Sequence, residues 1–255
     1  MGEEKKFYQM SMSERRAEIQ NESGLSDAEL DALCGNPGLS EETANHMIEN
    51  VIGRYSLPIG IARNFLINGR DYLIPMVIEE ASVVAAASNG ARIVKSCEGF
   101  RAEADASCMI GQVQVLHLND LNKAKTAISN RKEDILTVAA QTCPNLLKRG
   151  GGPMDLEIRE FPNTSVGPML VVHLLMNVCD VMGANLIDTA LEAIAPEIEK
   201  ISGGSVRLRI LSNLADRRLA RAACEIPSSA LSFKEYDGET VENRILENSF
   251  YEIFC

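Results

Sequence analysis

The spacing of apolar and polar residues changes character twice along this chain. Residues 11–50 read as mainly helical. Ser11 with Glu14 and Ser26 with Glu29 have capping-box spacing, and Ser40 before Glu41-Glu42 is a third candidate N-cap. From Met47 to Ala62 the density of Pro and Gly (Gly53, Pro58, Gly60) ends helices and predicts a turn-rich segment entering a sheet. Asn64 to Val77 predicts two short strands around Asn68-Gly69, the strongest short hairpin signal. Glu79-Glu80 follows, and Ala81 to Ala91 predicts a small-residue helix packed closely on its neighbours.

A self-contained alternation then takes over. Met109–Leu118 reads as a strand with period two, and Asn119–Thr142 as an amphipathic helix with Leu121, Ala124, Ala127, Ile128, Ile135 and Val138 at helical spacing. Asp155–Phe161 and Met169–Val178 read as strands, Ala184–Ile201 as a helix, and Ser205–Leu211 as a closing strand. The order β-α-β-β-α-β is that of the ferredoxin-like split unit. The expected fold class is therefore α+β, with a large helix-rich domain interrupted by a small inserted ferredoxin-like domain. The expected boundaries are 1–107 for the first part, 108–213 for the insert and 214–255 for the return.

Composition narrows the function. At 255 residues and 45% hydrophobic the chain has material for two packed domains. A net charge of −11 argues against non-specific binding to nucleic acid or anionic membrane, while leaving room for a local basic pocket. The longest apolar run, Met169–Ile187, is interrupted by His173, Asn177 and Asp180, so no membrane span is expected. The N-terminus has neither a secretory signal core nor the Ser or Thr of a myristoylation pattern. Seven scattered cysteines without a C-x-x-C and three isolated histidines give no metal-ligand spacing; free thiols in a reducing cytoplasm are the simplest account.

Five features could carry chemistry. Glu79-Glu80, between an apolar strand and an apolar helix, would have a raised pKa if desolvated there, or would be a strand-end carboxylate facing water. Asp180-Val181-Met182-Gly183-Ala184-Asn185 joins a strand to a helix, suiting either a pyrophosphate or an ordinary turn capped by Asp or Asn. Arg149-Gly150-Gly151-Gly152-Pro153, beside Lys148, is a second phosphate candidate or a plain glycine loop. Arg207, Arg209, Arg217, Arg218 and Arg221 form either an anion site or a solvated face with acidic partners. Ser212-Asn213 either orients a polar substrate or caps a helix from Leu214 onward. A structural role is expected for His46, His117 and His173.

Six motifs in order give these segments a family likeness. They are Glu49-Asn50-Val51-Ile52-Gly53, Asn68-Gly69-Arg70-Asp71-Tyr72, Glu79-Glu80-Ala81-Ser82-Val83-Val84-Ala85-Ala86-Ala87-Ser88, Gly167-Pro168-Met169-Leu170, Asp180–Asn185 and Arg207–Ala215. Together they resemble the 3-hydroxy-3-methylglutaryl-coenzyme A (HMG-CoA) reductase family, specifically its short, soluble class II branch. The resemblance implies an NAD(P)-dependent oxidoreductase that interconverts HMG-CoA and mevalonate plus free CoA with two hydrides. It implies that the insert holds the cofactor, NADPH or NADH, through Asp180, Met182, Gly183, Ala184 and Asn185. The surrounding domain would hold the acyl-CoA. Glu80 would be the catalytic acid, with Ser82, Arg70 and Asn213 on the substrate side and no metal. Ala81 stands where the family has proline. Glu49 and Asn50 would lie near a subunit boundary in a homodimer or higher homo-oligomer. The family's catalytic lysine, aspartate and histidine are expected beyond Cys255, on a downstream polypeptide that would complete the site. The lysine would stabilise the oxyanion formed by hydride attack, an effect worth several kcal/mol, roughly two to three orders in rate. The alternative reading is a non-catalytic dinucleotide-binding or truncated member of the same family.

Overall fold

The computed structural model describes residues 5–35 and 38–251, with side chains described to residue 247. Met1–Glu4 and Cys255, which entered the sequence reading, lie outside the described residues. The chain divides into two compact units, residues 1–101 with 222–255, and residues 102–221.

In the first unit, α1 (Met12–Ser23) and α2 (Asp27–Leu33) begin at the two capping boxes. Ser11 accepts from the Glu14 amide while the Glu14 carboxylate accepts from the Ser11 amide, and Ser26 and Glu29 repeat the exchange. The Ser11 amide, then the Lys5 ammonium, hold the Glu14 carboxyl down at about 2. Ser40 caps α3 (Glu41–Met47) through the Thr43 amide. β1 (Ile59–Ile67) and β2 (Arg70–Val77) pair antiparallel around Asn68-Gly69. Asn68 at φ 50 and Gly69 at φ 78 supply the two left-handed residues of a tight hairpin turn. A bulge between Ala62 and Phe65 puts Asn64 at φ 70. α4 (Val83–Lys95) packs on β1 and is tied there by Ser88, whose hydroxyl accepts from the Arg63 amide and whose carbonyl accepts from Asn64 Nδ2. The helix starts two residues later than the alanine pattern suggests because Ser82 takes φ 72 and makes no side-chain cap. The return segment forms α9 (Gly238–Tyr251).

β3 (Arg101–Ala104) and β8 (Ala220–Ala223) pair where the chain enters and leaves the second unit. That unit holds β4 (Cys108–Leu116), β5 (Gly152–Phe161), β6 (Met169–Asn177) and β7 (Ser205–Leu211) in the sheet order β5-β6-β4-β7, every neighbour antiparallel. α5 (Leu121–Asn130), α6 (Lys132–Gln141) and α8 (Ala184–Ser202) bury Ala124, Ile128, Ile135, Ile187, Leu191, Ile194 and Ile198 against Val113, Val115, Leu170, Val172 and Leu174. This continuous apolar layer is the main core, each fully buried aliphatic side chain contributing roughly 1.5–3 kcal/mol. Gly111 lets α8 lie directly on β4, since a Cβ there would sit 2.5 Å from Ile187 Cγ2 and 2.9 Å from both Leu191 methyls.

The single helix expected over Asn119–Thr142 is instead two, α5 and α6. α5 ends at Arg131, which leaves helical geometry (φ −110, ψ 17) and turns its side chain to Asp134 and Glu197, and α7 (Pro144–Leu147) follows with proline at its first turn. The helix expected from Leu214 onward does not form. Ser212 Oγ accepts from the Leu214 amide in a local turn, and 213–219 runs without regular structure to β8. Among the described residues no helix is long and apolar enough to cross a membrane.

Candidate functional site

In the first unit, Glu79 and Glu80 occupy the connection between the end of β2 and the start of α4. Both are exposed, so the desolvation expected from their apolar neighbours in sequence is not provided by this chain. The reason is directional: α4 turns Ala91 and Val94 inward onto the hairpin, leaving the loop ahead of it outside that packing. Ser82 is exposed two residues on, its left-handed φ of 72 setting where α4 begins. Arg70 sits at the opposite end of β2 from Glu80, its guanidinium 5.3 Å from the Tyr72 ring centroid. At about 3.3 Å per residue the strand separates these ends by roughly 23 Å, so Glu80 and Ser82 are brought together and Arg70 is not. An open groove of about 770 Å³ lies beside the Glu49–Gly53 motif, lined by Met47, Ile48, Val51, Arg54, Tyr55 and others.

In the second unit, the Asp180–Asn185 segment leaves the end of β6 and starts α8. Asp180, Val181, Met182 and Asn185 are exposed, whereas Gly183 is buried at the helix N-cap. Gly183 has φ 100 and a Cβ there would meet Val178 Cγ1 at 2.9 Å, so both backbone and space require glycine. No side chain caps α8, contrary to the alternative of Asp or Asn as cap, and the amides of its first turn stay available to an anion.

The structure joins two segments that the sequence left separate. Arg149–Gly152 packs beside the start of the Asp180 segment, with Asn177 Nδ2 donating to Gly150 O at 3.4 Å and Cys179 Sγ donating to Arg149 O at 3.7 Å. Gly151 has no room for a side chain, because a Cβ would lie 2.7 Å from Asn177 O and 2.8 Å from Cys179 Sγ. Lys148 and Arg149 are exposed beside it.

The arginines are largely committed. Arg209 pairs with Glu192 at 2.8 Å, Arg217 with Glu157 at 3.0 Å and Arg221 with Asp105 at 2.7 Å. The Arg221 guanidinium, then the Leu219 amide, hold the Asp105 carboxyl below its usual range. Among the described residues Arg218 bonds no carboxylate and instead donates to two backbone carbonyls, Val181 O at 3.1 Å and Cys179 O at 3.3 Å. Its partners lie 37 and 39 residues away, beyond the reach of any local pattern. Asn213 is exposed on the same stretch, after buried Ser212, whose amide donates to Ile110 O.

His46 is exposed, with Nδ1 2.7 Å from Glu42 O, and His117 is exposed with φ 55. His173 is buried on β6. Among the described residues no cluster of three or more His, Cys, Asp or Glu could hold a metal, and six cysteines are free. Burial pushes the Cys108 and Cys143 thiols up, which leaves them as packing groups.

Residues 11–253 match the family model of hydroxymethylglutaryl-coenzyme A reductase. HMG-CoA reductase of Archaeoglobus fulgidus is 48% identical over 229 residues, covering 90% of this chain and 52% of that protein. The Haloferax volcanii enzyme is 26% identical over 198 residues, 75% of this chain and 46% of that one. Among solved structures, the class II HMG-CoA reductase of Streptococcus pneumoniae bound to NADPH in open conformations superposes with a TM-score of 0.89 at 34% identity. That match covers 96% of this chain and 66% of the pneumococcal chain. The chain belongs to the HMG-CoA reductase family. It spans about half the length of these curated relatives.

Proposed function

We propose that this chain supplies the dinucleotide-binding unit and the acid Glu80 of an NAD(P)-dependent oxidoreductase that interconverts HMG-CoA and mevalonate plus CoA. In this reading residues 102–221 are a ferredoxin-like insert, and Asp180, Met182, Gly183, Ala184 and Asn185 receive the pyrophosphate of NADPH or NADH. The observation that carries the reading is the uncapped N-terminus of α8, preceded by a glycine that cannot be replaced and by an exposed turn. The α8 dipole and free amides favour an anion there. Lys148 and Arg149, exposed on the loop packed against Cys179, are the cations this reading assigns to a 2′-phosphate.

Glu80, with Ser82 beside it, acts on the thioester carbonyl. A carboxyl that stays protonated near neutrality needs removal from water. Since these residues leave Glu80 exposed, the covering atoms come from a second subunit or from the part of the family's length that they do not span, and Glu49–Gly53 lies at that boundary. Arg70 and Asn213 then reach the substrate through the same assembly.

Calorimetry of the chain with NADPH and NADH tests the binding half; saturable heat from at least one is expected, and none from either overturns it. Nicotinamide oxidation with HMG-CoA, measured with and without the downstream segments, tests the catalytic half. Glu80→Gln should leave dinucleotide affinity unchanged and lower turnover by about 10²-fold or more. The exposure of Glu80 favours one competing reading, a dinucleotide-binding protein without catalysis, which would retain the heat and show no turnover in either condition.

A further inference from the structure

We propose that Arg218 is the positioning residue of the dinucleotide turn, setting the direction of its backbone donors from the strap that follows β7. The inference rests on the dinucleotide reading above. The strap, 212–219, is fastened within the second unit by the Ser212 amide on Ile110 O, Arg217 on Glu157, Arg218 on the carbonyls of Cys179 and Val181, and the Leu219 amide on the Asp105 carboxylate.

The consequence follows from peptide planarity. A carbonyl and the N–H of the next residue point in opposite directions. Drawing Cys179 O and Val181 O toward the guanidinium therefore turns the Asp180 and Met182 N–H groups away from the strap. The alternate amides are already used: Cys179 N–H donates to Asn177 Oδ1 at 3.0 Å and Val181 N–H to Val178 O at 3.2 Å. The turn is thus divided, with one set of donors consumed internally and the other presented outward, next to the uncapped first turn of α8. Cys179 is held at φ 52, a conformation that a non-glycine residue in a free turn would leave readily. A cation bonded to both carbonyls opposes that relaxation and puts positive charge behind a site for phosphate. The same strap carries Asn213, so the cofactor turn and a proposed substrate residue share one mount.

The test compares the full chain with Arg218→Met, Arg218→Lys and Arg217→Met. NADPH affinity is read by nicotinamide fluorescence, backbone exchange at 179–184 by mass spectrometry without ligand, and folding by thermal midpoint. Arg218→Met should weaken NADPH by about tenfold, the loss of charge-assisted hydrogen bonds, and speed exchange at 179–184. Arg218→Lys, which keeps the charge but cannot fork across two carbonyls, should fall between Met and wild type on both readouts. Arg217→Met unfastens the strap from Glu157 without touching the turn and should bind NADPH as wild type does. The inference is overturned if Arg218→Met binds normally, if Arg218→Lys equals wild type so that charge alone matters, or if Arg217→Met loses as much affinity. Failure of wild type to bind NADPH removes the dinucleotide reading and this inference with it; normal wild-type binding beside an unaffected Arg218→Met removes this inference alone.

Discussion

Replacing Gly183 by alanine probes the turn at its tightest point. Two separate costs arise. Alanine at φ 100 is in a region that side chains avoid, worth about 1–3 kcal/mol. The new methyl would also stand 2.9 Å from Val178 Cγ1 and 3.4 Å from Ile187 Cδ1, an overpacking cost of about 1–3 kcal/mol. The sum, about 2–6 kcal/mol, is a large share of a domain's usual stability of about 5–15 kcal/mol. Neither neighbour yields easily, because Val178 and Ile187 are fully buried in the main core. A double-mutant cycle separates the terms. Val178→Ala alone leaves a cavity and destabilises, but it also removes the atom that Gly183→Ala strikes. The double mutant should therefore be more stable than the sum of the singles by about 1 kcal/mol or more, while the backbone cost remains. All five tyrosines lie outside residues 102–221, so tyrosine fluorescence does not report this unit. Urea-dependent amide exchange in β4 and α8 peptides is the suitable assay. Strict additivity of the two changes would refute the packing argument, and a Gly183→Ala protein as stable as wild type would refute both.

Two further outcomes are expected. His173 pairs across the sheet with Gln112 and Glu157, and burial, then the Arg159 guanidinium, lower its pKa, with Glu157, Asp216 and Arg217 as the other charges around it. The unfolded chain then binds the proton first, so this contribution is complete above the ordinary histidine value of about 6.5 and is lost as pH falls below it. Urea midpoints between about pH 7.5 and 5.5 should decline less for His173→Gln than for wild type, and equal declines would place the acid sensitivity elsewhere. Arg63 bonds Glu18 at 2.6 Å and Glu22 at 2.8 Å and lies 4.7 Å from the Phe7 ring centroid, clasping α1 to β1. Arg63→Met should cost roughly 1 kcal/mol after solvent screening of these part-exposed pairs. It should also speed protease cleavage within residues 12–23, and an unchanged cleavage rate would show that the clasp is idle.

What the sequence disclosed and what it hid divide by range. The hairpin at Asn68-Gly69 and the boxes at Ser11 and Ser26 were legible because the turn and the cap are made by residues within three positions of one another. The break at Arg131 was hidden, because Ile128 and Ile135 are both buried and seven residues apart, so the apolar period stays in phase across it. Ser212-Asn213 resembled a cap because the local chemistry of a cap and of a serine turn is the same; the strap is decided by Arg217 and Arg218 reaching distant partners. The exposure of Glu80 was hidden in the same way, its neighbours in sequence being apolar but facing elsewhere.

The two glycine-bearing segments carry this distinction to the candidate site. In sequence, Gly150-Gly151-Gly152 and the Gly183 turn were each open to a phosphate site or an ordinary loop. In the structure Gly151 is small because Asn177 and Cys179 press on it, whereas Gly183 combines close packing with a left-handed φ just before an uncapped helix. Glycine at 151 thus brings a loop close enough to brace the turn, and glycine at 183 shapes the turn itself. A ligand that reads the turn through its backbone depends on both, together with the Arg218 grip on the carbonyls between them. Substitutions at Gly151 should accordingly act through the position of Cys179 and weaken dinucleotide binding without any direct contact, the behaviour of a brace and not of a cradle.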